Sequence, residues 1–197
     1  MRPARHLIIM ARAPRLGAVK RRLARDVGAL AAWRFYRLTA AAVVRRLARD
    51  PRWRTRLAVT PDRAARCRFW RTPDRVIGQG RGDLGARMGR ILRALPPGPA
   101  VIVGSDIPDL AAAHVARAFR LLGSHDWVLG PAADGGYWLV GARRRRLPRD
   151  PFAGVRWSSA HALADTVANL ARARIAYLEE LDDIDTGTDL ARYRESK

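Results

Sequence analysis

The chain of 197 residues carries 38 lysines and arginines against 18 aspartates and glutamates, a formal charge of +20, with 48% hydrophobic residues. That length suits one domain over residues 1–197 whose core needs no disulfide, and the single Cys67 argues against a bridge or a cysteine-based zinc site and for a reducing, cytoplasmic setting. No apolar run approaches the roughly 20 residues of a membrane span, and the positive charge is arginine scattered over nearly every segment, only Lys20 and Lys197 being lysine, so no single basic stripe marks a nucleic-acid surface.

In chain order, the apolar run "HLIIMA" at 6–11 reads as a buried strand, and "ARAPRLGAVKRRLA" at 11–24 as the loop and helix start behind it. Gly17 allows a tight bend there, and Lys20 and the N–H groups of the helix start can face one anion. The G-x-x-x-x-G-K-[ST] spacing of a Walker loop is absent. A lysine retained among arginines points to a compact ammonium meeting a single phosphate oxygen; a solvated basic helix start is the alternative. Trp33, Tyr36, Ala40, Val44 and Leu47 recur at three- and four-residue spacing, which predicts an amphipathic helix packed on a sheet.

"RLAVT" at 56–60 is the next strand. "GQGRGDLGARM" at 78–88 meets G-x-G-x-x-G through Gly80, Gly82 and Gly85, with Asp106 about 20 residues on, where a ribose-binding acid belongs. A nicotinamide-binding oxidoreductase is therefore one reading, and a nucleotide approaching the backbone at Gly82, Asp83 and Gly85 is another. A helix over 84–95 follows. The strand at 100–105 then delivers Asp106, placed to hold Mg²⁺, which takes one or two carboxylates alongside water and phosphate oxygens. Pro108 and Asp109 suit the start of a helix over 111–122, with Asp109 as its cap.

After a strand at 126–131, "DGGYWLVG" sets Asp134 on a Gly135–Gly136 turn into a strand-like run, where an acid can orient an acceptor or simply close the turn. The basic run from Arg143 to Arg146 with "LPRDP" reads as a surface excursion. Trp157, Ser158 and Ser159 precede a helical segment, so a serine N-cap is one reading and a substrate contact the other. "RIAYLEEL" is strand-like and carries "DDIDTGTDL" (182–190) to the sheet edge, where Asp185 can join Asp106 as a metal pair and Asp189 can begin the last helix. The four histidines form no i, i+4 metal pair and no triad. Strands alternating with helices imply a mostly parallel, Rossmann-like α/β sheet sandwiched by helices, with ligands at the carboxyl ends of the strands.

The ordered set "ARAPRLGAVKRRLA", "GDLGARM", "GSDIPDL", "GPAADGGYWLVG", "WSS" and "DIDTGTDL" resembles the glycosyltransferase-A-like family called selenodomain-associated transferase type 1, over nearly the whole chain. The family loop reads more like "FAKxPxxGxVKTRL", so Arg12 stands where lysine is usual and Arg21 where threonine is. More distantly the motifs are similar to those of phospholactate and molybdenum-cofactor guanylyltransferases. The resemblance implies the glycosyltransferase-A fold and a Mg²⁺-dependent (or Mn²⁺-dependent) transferase acting on a nucleotide or nucleotide-sugar donor and a small-molecule acceptor. Asp106 and Asp185 would hold the metal, Lys20 the α-phosphate, and Arg12 and Arg15 the outer phosphates. The loop with Gly17 and the "GDLG" residues would cradle the nucleotide; Asp134 would orient a phosphorylated or hydroxyl acceptor, beside Gly135, Gly136, Trp157 and Ser158. Nucleotidyl transfer is the first expectation and glycosyl transfer the second, with an arginine-rich nucleic-acid-binding domain as the non-enzymatic alternative.

Overall fold

The computed structural model describes residues 3–70, 75–144 and 150–195. Residues 145–149 of the expected basic excursion, and Lys197, lie outside the described residues. Strands β1 (His6–Arg12), β2 (Arg54–Thr60), β3 (Arg75–Gly78), β4 (Ala100–Gly104), β5 (Trp127–Pro131), β6 (Tyr137–Ala142) and β7 (Ile175–Tyr177) form one 7-stranded sheet. Their order is β3-β2-β1-β4-β6-β5-β7. All neighbours pair in parallel except β6, which runs antiparallel to both β4 and β5.

That exception has a local cause. Between β5 and β6 the Asp134 carboxylate accepts the Gly136 N–H at 2.8 Å, and the Gly135 N–H donates to the Ala132 carbonyl at 3.0 Å. Gly135 has φ +79, and a side chain there would collide with the Ala160 backbone. The chain therefore reverses within a few residues, and a strand entered that way must run antiparallel to the one it left.

Helices α1 (Arg21–Val27), α2 (Ala29–Ala48), α3 (Leu84–Ala94), α4 (Ala112–Leu121), α5 (Ala162–Asn169) and α6 (Gly187–Glu195) complete the described elements, with a short 3₁₀ turn over Asp62–Arg66. Among the described residues no helix is long and apolar enough to cross a membrane. Alternation along β1 sorts the core into two layers. Leu7, Ile9 and Ala11 join Val43, Val44 and Leu47 of α2 and Val115 and Phe119 of α4. Ile8 faces the other way, toward Met88, Ile91 and Leu92 of α3 and Ala162 of α5.

Three helix starts differ from expectation. The residue before α4 is Ala111, not Asp109, and its N–H donates to His114 Nδ1 at 3.1 Å, so a side chain inside the first turn closes this end. The serines do not cap α5: the helix begins at Ala162 after His161, and the Ser159 hydroxyl instead donates to the Arg156 carbonyl at 2.6 Å. The last helix begins at Gly187, two residues before Asp189, which sits in its first turn in a reciprocal pair with Thr186: each accepts the other's backbone N–H, at 2.8 and 3.2 Å.

Part of the arginine excess is structural. Arg46 donates to the Pro108 carbonyl at 3.0 Å and to that of Leu110, Arg90 to those of Gln79 and Arg81, and Arg144 to those of Leu95, Pro96 and Gly98. A guanidinium fork with several donors satisfies loop carbonyls that no ladder reaches.

Buried His6 opens β1 between the Pro97 carbonyl, 3.4 Å from Nε2, and an Arg56 guanidinium 3.1 Å from Nδ1. Burial lowers its pKa from the ordinary value; the Pro97 contact opposes this, while Arg56, Arg144 and Arg54 reinforce it. A base with a depressed folded pKa adds stability above its unfolded pKa of about 6.5 and loses it as pH falls through the folded value. The melting temperature should therefore fall between about pH 7 and pH 5, and less steeply in His6→Gln, as a pH series of thermal melts would check.

Candidate active site

The carboxyl ends of β1 and β4 lie where the strand order switches direction, with β2 and β3 to one side and β6, β5 and β7 to the other. Because β6 runs backwards, its first residues and the Asp134 turn reach this same edge. The chain after β7 returns here too, its Leu178 and Leu181 N–H groups donating to the Leu129 and Pro131 carbonyls.

Lys20 sits immediately before α1 in the left-handed region, φ 45 and ψ 52, uncommon for a residue with a side chain. Its ammonium is 2.8 Å from an Asp106 oxygen, 2.8 Å from Asp185 and 3.1 Å from Asp183. The lysine side chain is only 3% exposed, whereas the three carboxylates are about one-third open to solvent. Burial alone would lower the Lys20 pKa, but Asp106, Asp183 and Asp185 overcome it and hold the group well above its ordinary value. Asp183 is pushed up to about 6 by burial and by its neighbours Asp185 and Asp106, against the pull of Lys20. Arg22 adds a second cation 3.6 Å from the other Asp185 oxygen.

Two buried polar side chains brace this centre. The Tyr36 hydroxyl, from α2, accepts the Arg12 N–H at 2.8 Å and lies 2.8 Å from the Arg12 carbonyl and 3.3 Å from Ser105 Oγ, so one phenol joins the ends of β1 and β4. Gln79 donates its amide to the Ala11 and Ala58 carbonyls at 3.0 and 2.9 Å, which joins the ends of β1 and β2. Neither stood out as functional in the sequence. Tyr36 belongs to the apolar stripe of α2, and the one signal was a tyrosine where phenylalanine would pack equally well.

Two clefts meet at the carboxylates. The larger, about 540 Å³, is basic: Arg12, Lys20, Arg21, Arg22 and Arg87 line it beside Tyr36 and Gln79. The smaller, about 240 Å³, is aromatic and acidic, with Tyr137, Trp138, Trp157 and Asp134 in its walls. Leu84, Asp106, Ser158 and Asp183 border both. Ser158, like Lys20, has a positive φ, 58. The structure thus brings Arg12, Lys20, Asp106, Asp134, Gly136, Trp157, Ser158 and Asp185 to the clefts and adds Asp183. Arg15 and Gly17 line neither cleft and sit on an exposed turn closed by the Ala18 N–H donating to the Arg15 carbonyl at 3.1 Å. Around "GDLG", Leu84 faces the clefts while Asp83 caps α3, accepting the Ala86 N–H at 2.8 Å. Gly85 is small because a side chain there would come within 2.7 Å of Phe152 and 2.9 Å of Trp157.

Among the described residues no three His, Cys, Asp or Glu side chains are already arranged to hold a metal ion, because the point shared by the aspartates is taken by the lysine ammonium. The donor set itself fits Mg²⁺ or Mn²⁺: carboxylate oxygens from separate loops, partly open to solvent. Metal–oxygen bonds of about 2.0–2.1 Å are shorter than these ammonium contacts, so a divalent ion placed here would compete with Lys20 for the same oxygens.

The fold recurs in solved structures. A protein of Desulfovibrio desulfuricans G20, provisionally named a nucleotide-diphospho-sugar transferase, is 31% identical with a TM-score of 0.89, over 98% of this chain and 87% of that one. Rv0371c of Mycobacterium tuberculosis H37Rv, in complex with manganese, is 20% identical with a TM-score of 0.54, over 99% of this chain and 100% of that one. CMP:2-keto-3-deoxy-manno-octonic acid synthetase complexed with CTP is 11% identical with a TM-score of 0.57, over 98% of each chain. No curated protein matches the chain. The class these likenesses define is the transferase of the nucleotide-diphospho-sugar transferase and nucleotidyltransferase fold. The chain belongs to the family described as an uncharacterized protein conserved in bacteria, DUF2064, which matches residues 43–159.

Tyr36→Phe should destabilise the protein by about 1–3 kcal/mol, since the Arg12 N–H loses its partner in a buried setting. Urea denaturation of the two proteins would measure it.

Proposed function

We propose that the protein transfers a nucleotidyl group from a nucleoside triphosphate to a small acceptor with the help of a divalent metal ion. The observation that carries this reading is the lysine ammonium among three aspartates at the junction of a basic and an aromatic cleft. The basic cleft suits a polyphosphate, with Arg12, Arg21, Arg22 and Arg87 available to its oxygens and Lys20 to the α-phosphate. Bound at Asp106 and Asp185, with Asp183 beside them, Mg²⁺ or Mn²⁺ would neutralise charge on the phosphates.

The acceptor enters from the aromatic side. Its oxygen attacks the α-phosphorus in line, the bond from that phosphorus to the bridging oxygen breaks, and pyrophosphate leaves with the bonding electrons. For a hydroxyl acceptor the proton passes to Asp134, whose carboxylate the Gly136 N–H holds in place. The chain's contribution is positioning and fixed charge. The provisional name of the 31%-identical relative favours a second reading, glycosyl transfer from a nucleotide sugar. The same residues would then face the departing nucleoside diphosphate, and Asp134 the acceptor hydroxyl.

A thermal-shift panel of nucleoside triphosphates, nucleoside-diphosphate sugars and NAD(P), each with and without Mg²⁺, tests both. A ligand at 100 times its Kd stabilises by about 2.7 kcal/mol. One triphosphate should give a metal-dependent shift that Asp106→Ala abolishes; a sugar nucleotide doing so instead selects glycosyl transfer, and no metal–nucleotide shift at all defeats both.

Competition between ammonium and metal gives a separate expectation. Lys20→Met should bind Mn²⁺ in the absence of nucleotide at least about tenfold more tightly than the unmodified protein, a gain of about 1.4 kcal/mol, as read by electron paramagnetic resonance of the free ion.

A further inference from the structure

The smaller cleft has the opposite electrostatic character from the molecule around it. In a chain with 38 basic and 18 acidic residues, its lining includes Asp106, Asp134 and Asp183 and no lysine or arginine among the described residues. Asp106 and Asp183 are matched by the Lys20 ammonium. The Asp134 carboxylate, held by a backbone N–H, lines the cleft with no lysine or arginine among the other lining residues. The neighbouring Arg156 is committed elsewhere: its Nε and Nη2 bind both oxygens of Asp165, at 2.9 and 2.8 Å.

The walls are aromatic. Tyr137 and Trp157 stand edge to face at 6.1 Å between ring centroids, with Trp138 and Ile107 alongside. The volume of about 240 Å³ lies below the roughly 300–1,000 Å³ typical of drug-sized pockets. Such a site receives ring faces and hydroxyl groups: the C–H faces of a polyol or sugar rest on aromatic rings, and its hydroxyls donate to the Asp134 carboxylate. A phosphate or carboxylate brought here would lose water and face the Asp134 carboxylate, with no lysine or arginine on the wall to receive it.

We propose that the acceptor is an uncharged polyhydroxylated small molecule, and that the acidic, aromatic cleft selects against phosphorylated acceptors. This deepens the transferase reading above and rests on it, through the donor occupying the basic cleft.

The experiment uses the full chain saturated with whichever metal–nucleotide pair raises its melting temperature. Matched probes are added: glycerol against glycerol 3-phosphate, and glucose against glucose 6-phosphate. Binding is read by saturation-transfer NMR and product by mass spectrometry. The neutral member of a pair should bind and be consumed at least about tenfold better than its phosphorylated partner. Ala132→Lys, which adds a cation to the cleft wall, should narrow that gap by about tenfold. Equal or better use of the phosphorylated member overturns the proposal, as does binding of neither while the donor shift is intact. Failure of the donor reading is distinct: it appears as no nucleotide shift before any acceptor is added.

Discussion

A buried ammonium ringed by three carboxylates is costly to assemble, because each charge gives up water and regains it only as mutual attraction. Lys20 reaches Asp106 after β4 and, 163 and 165 residues along the chain, Asp183 and Asp185 after β7. Without the ammonium, three aspartates would crowd one point with only the more distant Arg22, 3.6 Å from Asp185, to offset them. Without the aspartates, the lysine would lie buried and unpaired. The lysine's left-handed backbone, the braces from Tyr36 and Gln79 and the return of the chain after β7 all serve to hold this centre.

The centre also divides the edge of the sheet by charge. Toward β1, β2 and the start of α1 lie arginines and an open basic cleft; toward β6 lie aromatic rings and Asp134. The proposed transfer needs such asymmetry, since an anionic donor and its acceptor would have to approach one point without exchanging places. The antiparallel β6 makes it possible: a parallel strand in that position would carry Asp134 and Tyr137 to the opposite edge.

The charge of +20 is less informative than its size suggests. Arg46, Arg90 and Arg144 spend their donors on backbone carbonyls, and Arg156 on Asp165. Lysine performs such forked contacts poorly, and a buried point charge is where a flexible ammonium has the advantage. The composition therefore reflects carbonyl capping and ion pairing as well as any attraction for anions, and it left Lys20 conspicuous.

Much of the architecture was legible because periodicity records burial. The apolar runs at β1, β2, β4 and β5 and the stripe of α2 must face a core whatever surrounds them, and the Gly-rich turn at Asp134 dictates a reversal by itself. Lys20, Asp106 and Asp185 could be singled out because each follows a strand, where an open α/β sheet gathers its ligands. Their meeting could not be read, nor could the part played by Asp183, since four adjacent acids at 182–189 look alike until the chain after β7 is placed. The same holds for Arg15, which local sequence groups with Arg12 but the turn directs away, and for Gly85, whose smallness answers to Phe152 and Trp157, 67 and 72 positions along. Local preference decides what each segment is. Which side chains share a charge, a wall or a void depends on segments far apart in the chain, and only the tertiary structure brings those together.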